Sequence, residues 1–192
     1  MSPSLNDVAW PVRTERLSIR RATAADAAAT WPYRSDPRVA EWLPRLPTDR
    51  AAYDEWYANA EILETRLVVE HGNEVVGELH LMLQDPWAQH EVADAAQGTE
   101  ADIGWVLAPA HQGQGFGTEA VAALFEICFD RLGLRRVTAA CFSDNVPSWQ
   151  LMERLGMRRE SHTVRDSLHR DRGWLDGYSY ALLAEEWAVT TS

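Results

Sequence analysis

"HQGQGFGTEA" (His111–Ala120) places three glycines in five positions and then runs straight into a helical pattern. Two familiar phosphate-binding signatures fail here on detail. A dinucleotide fingerprint needs G-x-G-x-x-G, whereas Gly113, Gly115 and Gly117 are spaced G-x-G-x-G, and Thr118 stands where the third glycine belongs. A P-loop needs Gly-Lys-Ser/Thr, and no lysine precedes Thr118. The underlying physics survives both failures. Free N–H groups at a helix N-terminus attract an anion, and glycine lets a phosphate approach the backbone closely. Taken alone, the stretch reads equally well as a glycine-rich turn with no ligand. The flanking chain has to decide.

Downstream, Gly117, Val121, Leu124, Phe125, Cys128 and Leu132 form an amphipathic helical stripe closed by Gly133. "RRVTAACF" (135–142) reads as a buried strand. "NVPSWQLMERLG" (145–156) reads as a short helix with Pro147 in its first turn and Gly156 as its stop. Two closing strands follow near "MRRESHTVR" and "WLDGYSYALL". Upstream, "TEADIGWVLAP" (99–109) is a strand ended by Pro109. The stretch from about Gln84 to Gly98 is polar, carries Pro86 and lacks periodicity, which marks a functional or disordered loop. "RLVVEHGNEVVGELHLML" (66–83) is a hairpin turning at His71-Gly72-Asn73.

Earlier still, "RLSIRR" (16–21) alternates as a strand. Thr23 caps a helix carrying Ala24, Ala27, Ala28 and Trp31 on one face. Pro37, Pro44 and Pro47 break the next segment into a loop. A second helix follows Thr48, with Tyr53, Trp56, Tyr57, Ala60 and Leu63 at helical spacing. The expectation is one α+β domain over residues 1–192, with 1–14 as an N-terminal extension.

Bulk composition narrows the function. A chain of 192 residues, 46% hydrophobic, suits one domain with a sizeable core. No apolar run is long enough for a membrane span, and "MSPSLNDVAW" lacks the features of a secretory leader. Cys128 and Cys141 have no CxxC spacing and read as reduced core thiols of a cytoplasmic protein. The six histidines show no metal-ligand spacing, so no metal is expected. A formal charge of −11 argues against a nucleic-acid partner and is compatible with a cationic substrate.

With these segments in place, the chain resembles the GNAT superfamily of acyl-CoA-dependent N-acyltransferases. "Gln112-Gly113-Gln114-Gly115-Phe116-Gly117" matches that family's [R/Q]-x-x-G-x-[G/A] loop. "TERLSIRRATAADA", "SDNVPSWQLMERLGMR" and "GWLDGYSYALLAEEW" resemble the start, middle and end of the branch containing the RimJ and RimL ribosomal-protein N-terminal acetyltransferases. The resemblance implies an α+β fold with a mixed, mostly antiparallel sheet, a splayed strand pair and flanking helices. It implies acetyl-CoA as acyl donor and a primary amine as acceptor, either a protein N-terminus or a small molecule, with a homodimer as one form of assembly.

Site residues follow from the same resemblance. The turn Gln112, Gly113, Gln114, Gly115, Phe116, Gly117 and Thr118 would hold the donor's diphosphate, with Gln112 bracing it. The backbone at Val106 and Leu107 would face the pantetheine arm, and an N–H there would polarise the thioester. Asn145 would contact the arm, and Ser148 would stand near the sulfur as proton donor to the leaving thiolate. Trp149, beside it, has no ionisable proton, which favours Ser148. Asp102 is the candidate base, with Glu100, His80 or a water chain as alternatives. On the competing structural readings, Val106 and Leu107 are core residues, Ser148 is a first-turn helix residue and Asp102 is a solvated or ion-paired carboxylate. Trp31, Trp42 and Trp56 lie in the region forming one wall of the acceptor cleft in the resembled family, where they would either pack or hold an amine. Other activities stay open: a polyamine, amino-acid or aminoglycoside acetyltransferase, a succinyltransferase, or a non-catalytic acyl-CoA-binding regulator.

Overall fold

Alternation in Leu17-Ser18-Ile19-Arg20-Arg21 turns Leu17 and Ile19 inward, to 3% and 0% exposure, as strand β2 (Leu17–Arg21). A two-residue strand β1 (Val12–Arg13) pairs antiparallel with it, Val12 opposite Ile19. The stretch expected as an extension thus contributes a strand and a buried valine. The computed structural model describes residues 3–190.

Thr23 and Asp26 form a capping box over a single 3-10 turn, which leads into α1 (Ala27–Arg34). Pro37 starts a helix where a break was expected. Asp36 accepts from Arg38 N–H, and proline, needing no N–H at a helix start, opens α2 (Pro37–Ala40). The cap of α3 (Arg50–Tyr57) is Asp49, one residue past the expected Thr48; its carboxylate accepts from Ala52 N–H at 2.7 Å. The expected single helix through Leu63 is two. Asn59 adopts an extended backbone and caps α4 (Ala60–Glu64) by accepting from Glu61 N–H at 2.8 Å.

Strands β3 (Arg66–His71) and β4 (Glu74–Gln84) make the expected hairpin around Gly72-Asn73. The following loop contains a 3-10 turn (His90–Val92) and α5 (Ala93–Ala96), and Gly98 N–H closes it on Asp85 Oδ1 at 2.7 Å. Next come β5 (Glu100–Leu107) and α6 (Phe116–Glu126), continued by a π-helical turn (Ile127–Arg131). Then follow β6 (Arg136–Phe142), α7 (Val146–Arg154), β7 (Arg158–His169), β8 (Gly173–Leu183) and α8 (Ala184–Thr190). No helix was expected after the last strand, where α8 lies.

The strands form one eight-stranded mixed sheet in the order β1-β2-β3-β4-β5-β6-β8-β7. β5 and β6 pair in parallel, whereas β1–β2, β2–β3, β3–β4, β6–β8 and β7–β8 are antiparallel. The chain groups into two compact units. One comprises Met1–Val8, Met82–Ile103 and Leu124–Ser192, the other Ala9–Leu81 and Gly104–Ala123. In the first, Leu124, Phe125, Val137, Met152 and Tyr180 are at most 1% exposed, and Trp187 of α8 meets the Phe125 ring edge-on at 5.7 Å. In the second, Ile19, Tyr53, Tyr57, Leu67, Val68 and Leu79 are at most 1% exposed. Among the described residues, no helix is long and apolar enough to cross a membrane.

Candidate active site

The glycine turn is a local backbone demand that only glycine meets cheaply. Gly113 and Gly115 sit at φ +73° and +83°, the left-handed region that costs another residue about 1–2 kcal/mol. A Cβ at Gly113 would meet nothing within 4 Å, so backbone geometry rather than crowding fixes the glycine there. Two side-chain amides hold the turn from below. Gln112 Nε2 donates to Leu107 O at 3.1 Å, and Gln114 Nε2 donates to Ala110 O at 2.8 Å. α6 begins at Phe116, and its ladder opens with Glu119 N–H donating to Gly115 O at 3.1 Å. By helix geometry the N–H groups of Phe116, Gly117 and Thr118 have no intrahelical acceptor. The open turn and those donors fit a diphosphate. Glu119 would oppose an anion at this end, but Arg16 neutralises it at 2.6 Å.

Upstream of the turn, Val106 is 8% exposed and Leu107 half-buried. Ala108 N–H donates to Val76 O at 2.9 Å, tying the end of β5 to β4. Gly77 permits this approach. A Cβ there would lie 2.6 Å from Val106 O and 2.5 Å from Leu107 Cδ2, closer than packed atoms allow. Reading the sequence missed Gly77. The available signal was a lone glycine inside an otherwise apolar strand, which marks close backbone approach.

Asp102 sits at the end of a short ladder. The parallel pairing runs only over Glu100↔Arg136, Ala101↔Val137 and Asp102↔Thr138, although β5 has 8 residues and β6 has 7. Burial pushes the Asp102 carboxyl above its ordinary value, and the nearby Thr138 hydroxyl, which donates to Ala101 O at 3.2 Å, offsets part of that rise. Glu100, by contrast, is held in ion pairs with Arg135 and Arg136. Those pairs occupy its carboxylate.

Asn145 occupies the N-cap position of α7 and accepts from Ser148 N–H at 3.1 Å through its backbone carbonyl; its side chain makes no cap bond. Burial pushes the Cys141 thiol on β6 up to about 11, and the neighbouring Ser148 side chain offsets part of that rise. The Trp149 indole N–H, its one side-chain donor, donates to Ser143 O at 3.2 Å. Tyr178, opposite Cys141 in the β6–β8 ladder, is a phenol in this neighbourhood that reading the sequence missed, and Arg159 covers its ring at 4.1 Å.

His80 pairs across from Arg66 and stands beside Gly104, where a Cβ would lie 3.7 Å from its own. Burial, then Arg66 and Arg34, pull the imidazole below its ordinary value and keep it neutral. The charges next to it converge on Glu78, 1% exposed, which accepts from Arg34 Nε at 2.6 Å, Tyr33 OH at 3.0 Å and Arg66 Nη1 at 3.1 Å. This network too was absent from the sequence reading. The aromatic residues of the N-terminal helices are largely packed. Trp31, Tyr53, Trp56 and Tyr57 cluster ring to ring, while Arg45 and Arg66 lie over Trp56 at 5.0 and 5.2 Å and Arg50 over Trp31 at 5.7 Å. Their faces already carry cations.

Comparison with known proteins agrees with this geometry. The Acetyltransferase (GNAT) domain matches residues 16–158. The uncharacterized N-acetyltransferase YnaD of Bacillus subtilis is 28% identical over 179 residues, covering 92% of this chain and 98% of its own. Among solved structures, the Vibrio cholerae spermidine N-acetyltransferase in complex with CoA and spermine superposes with a TM-score of 0.76 at 17% identity, covering 91% of this chain and 99% of its own. RimL, a ribosomal L7/L12 α-N-protein acetyltransferase solved with coenzyme A, superposes at 0.75 with 18% identity, covering 88% of this chain and 95% of its own. At such identities the likeness to these two structures is one of fold. Fold, glycine turn and a match across most of the sequence agree: the chain belongs to the GNAT acetyltransferase family and is an N-acetyltransferase.

Proposed function

We propose that this enzyme transfers the acetyl group of acetyl-CoA to a primary amine, and that the amine is the α-amino group of a protein N-terminus, as in the RimJ/RimL branch. The observation carrying the donor assignment is the turn from Gln112 to Thr118, with two left-handed glycines, two glutamine braces and three free helix donors. Bound there, acetyl-CoA supplies an activated thioester. Val106 and Leu107 offer backbone to the pantetheine arm, and Asn145 contacts the same arm. The Ser148 hydroxyl donates a hydrogen bond to the departing sulfur as the C–S bond breaks, and the thiolate takes up the second proton that the acylated nitrogen releases. Asp102, its carboxyl raised by burial, takes the proton that the ammonium must lose before it attacks.

The formal charge of −11 supports a cationic acceptor, drawn in by long-range attraction. The segments resembling the RimJ/RimL branch favour a peptide amine. The spermidine enzyme sharing the fold keeps small polyamines as the second reading. A calorimetric titration with acetyl-CoA, followed by thiol release over a panel of N-terminal peptides and free polyamines, tests the assignment. Peptides turned over with higher kcat/KM than spermidine support it; the reverse order selects the small-molecule reading.

Two results should follow with the best acceptor. Ser148→Ala should lower kcat by about tenfold to a hundredfold, the worth of one hydrogen bond to a charged atom, with acetyl-CoA affinity unchanged. Wild-type turnover would reduce Ser148 to a residue of the helix start. For Asp102 the basic form is the active one, so kcat/KM should fall as pH drops through a carboxyl pKa above the ordinary range. That acid limb should vanish in Asp102→Asn along with most of the activity. An unchanged pH profile would remove Asp102 from the reaction.

A further inference from the structure

The strand-opening stretch Thr14-Glu15-Arg16-Leu17 is joined to the glycine turn through one carboxylate, Glu119. Thr14 Oγ1 donates to Glu119 Oε1 at 2.5 Å, and Arg16 N–H donates to the same oxygen at 2.9 Å. Arg16 Nε donates to Glu119 Oε2 at 2.7 Å, and Arg16 Nη2 reaches that oxygen at 2.6 Å. One carboxylate oxygen, Oε2, is therefore engaged by the guanidinium, and the other, Oε1, by the Thr14 hydroxyl and the Arg16 backbone N–H, all of them charge-assisted contacts. The remaining nitrogen of the fork, Arg16 Nη1, donates to Gln114 O at 3.0 Å. The guanidinium also lies over the Phe116 ring at 4.6 Å, and His71, whose Nδ1 pairs with Arg16 O at 3.0 Å, packs its ring on Phe116 at 4.8 Å.

The contact with Gln114 O has a geometric consequence. In a trans peptide the carbonyl and the next N–H point in opposite directions. Holding Gln114 O toward Arg16 therefore turns the Gly115 N–H away from Arg16, to the side opposite the clamp. Glycine has more rotational freedom than any other residue, so this peptide plane would otherwise be the least determined part of the turn. Glu119 is held on its other side by Thr14 and fixes where Arg16 can stand. Burial alone would raise the Glu119 carboxyl, but Thr14 and Arg16 together hold it below its ordinary value, so it is charged and paired at neutral pH.

We propose that the Thr14–Glu119–Arg16 clamp is a positioning device that sets the Gln114–Gly115 peptide plane before a diphosphate arrives, making Arg16 and Glu119 determinants of acyl-donor affinity rather than of chemistry. The inference rests on the assignment of the glycine turn to the donor's diphosphate. A preset turn spares the ligand the cost of ordering it, so the clamp acts on affinity.

Calorimetric titration of the full chain with coenzyme A tests it on the wild type, Arg16→Ala, Arg16→Lys, Glu119→Gln and the Arg16→Ala/Glu119→Gln double variant, each paired with a thermal melt. Arg16→Ala and Glu119→Gln should each weaken binding about tenfold, in line with loss of a charge-assisted hydrogen bond. The double variant should lose little more than either single one, because both break the same unit. Arg16→Lys should recover part of the loss, since an ammonium keeps the charge but has no fork. A wild type that does not bind coenzyme A overturns the donor assignment and the clamp with it. Binding by the wild type with cooperatively melting single variants within twofold of it overturns the clamp alone. Losses that add fully in the double variant, or a lysine no better than alanine, also overturn it.

Discussion

Gly115→Val will bind coenzyme A at least about a hundredfold more weakly than the wild type while remaining folded. Two independent costs coincide at this position. The residue sits at φ +83°, where a β-branched side chain costs about 1–2 kcal/mol or more. Its Cβ would also stand 3.3 Å from Arg16 Nη2, pressing the guanidinium that orients the Gln114 carbonyl to shift by a few tenths of an ångström. Losing close approach of an anion to two or more N–H donors, each worth roughly 1.5–3 kcal/mol, accounts for a factor of this size. Gly133→Val is the matched control. Gly133 has φ +65° and open space around its Cβ, so it carries similar backbone strain in a turn with no assigned ligand. It should lower the melting temperature comparably and leave coenzyme A affinity intact. Undiminished affinity in Gly115→Val would remove the turn from the donor site.

The glycine turn was legible because its requirement is local. Left-handed backbone before a helix selects glycine whatever surrounds it, and Gln112 needs to reach back only five residues to Leu107 O. The hairpin around Gly72-Asn73, the order of strands and helices and the short helix after Asn145 were legible for the same reason: period and punctuation are near-neighbour properties. The break between α3 and α4 escaped because Asn59 caps a new helix without interrupting the apolar spacing from Trp56 to Leu63. Pro37 misled because proline ends one helix as readily as it starts another, and Asp36 beside it decided for a start.

What stayed hidden depends on residues the fold brings together from far apart. Arg16 and Glu119 are separated by 103 residues, and nothing in either neighbourhood announces the other. Glu100 and Asp102 look equivalent along a strand, yet one is paired with two arginines, whereas the other is half-buried without such a pair and its carboxyl is raised by desolvation. The aromatic residues of the first helices carried a choice between packing and amine capture. Arginines already seated on Trp31 and Trp56 favour packing, because a second cation there would meet like charge.

The most destabilising single change should be Glu78→Ala, at a cost of about 3–5 kcal/mol. Glu78 is 1% exposed, and the side chains of Arg34 and Arg66 that face it are 11% and 9% exposed. Deleting the carboxylate leaves two guanidiniums in the interior with no counter-charge and the Tyr33 hydroxyl without its acceptor. Water cannot readily repair this, since both arginine side chains are almost wholly buried. Glu78→Gln should cost less, because the amide oxygen still accepts hydrogen bonds while the charge is lost. The pH dependence separates the two effects. Burial pushes the Glu78 carboxyl up, but attraction to Arg34 and Arg66 and the hydrogen bonds from Arg34 and Tyr33 outweigh it, so the folded-state value lies below the ordinary one. A depressed carboxyl adds stability that is fully present above its unfolded-state pKa and is lost as pH falls through the folded value. Wild-type stability should therefore drop in acid with a contribution that Glu78→Gln lacks, and the two denaturation midpoints should converge as pH is lowered. Replacing Arg34, Glu78 and Arg66 together by Met, Leu and Met should recover much of the loss, because apolar residues of similar volume carry no desolvation cost. A Glu78→Ala protein that unfolds within about 1 kcal/mol of the wild type at neutral pH would show that water reaches the arginines, and that the triad contributes no more than a surface pair.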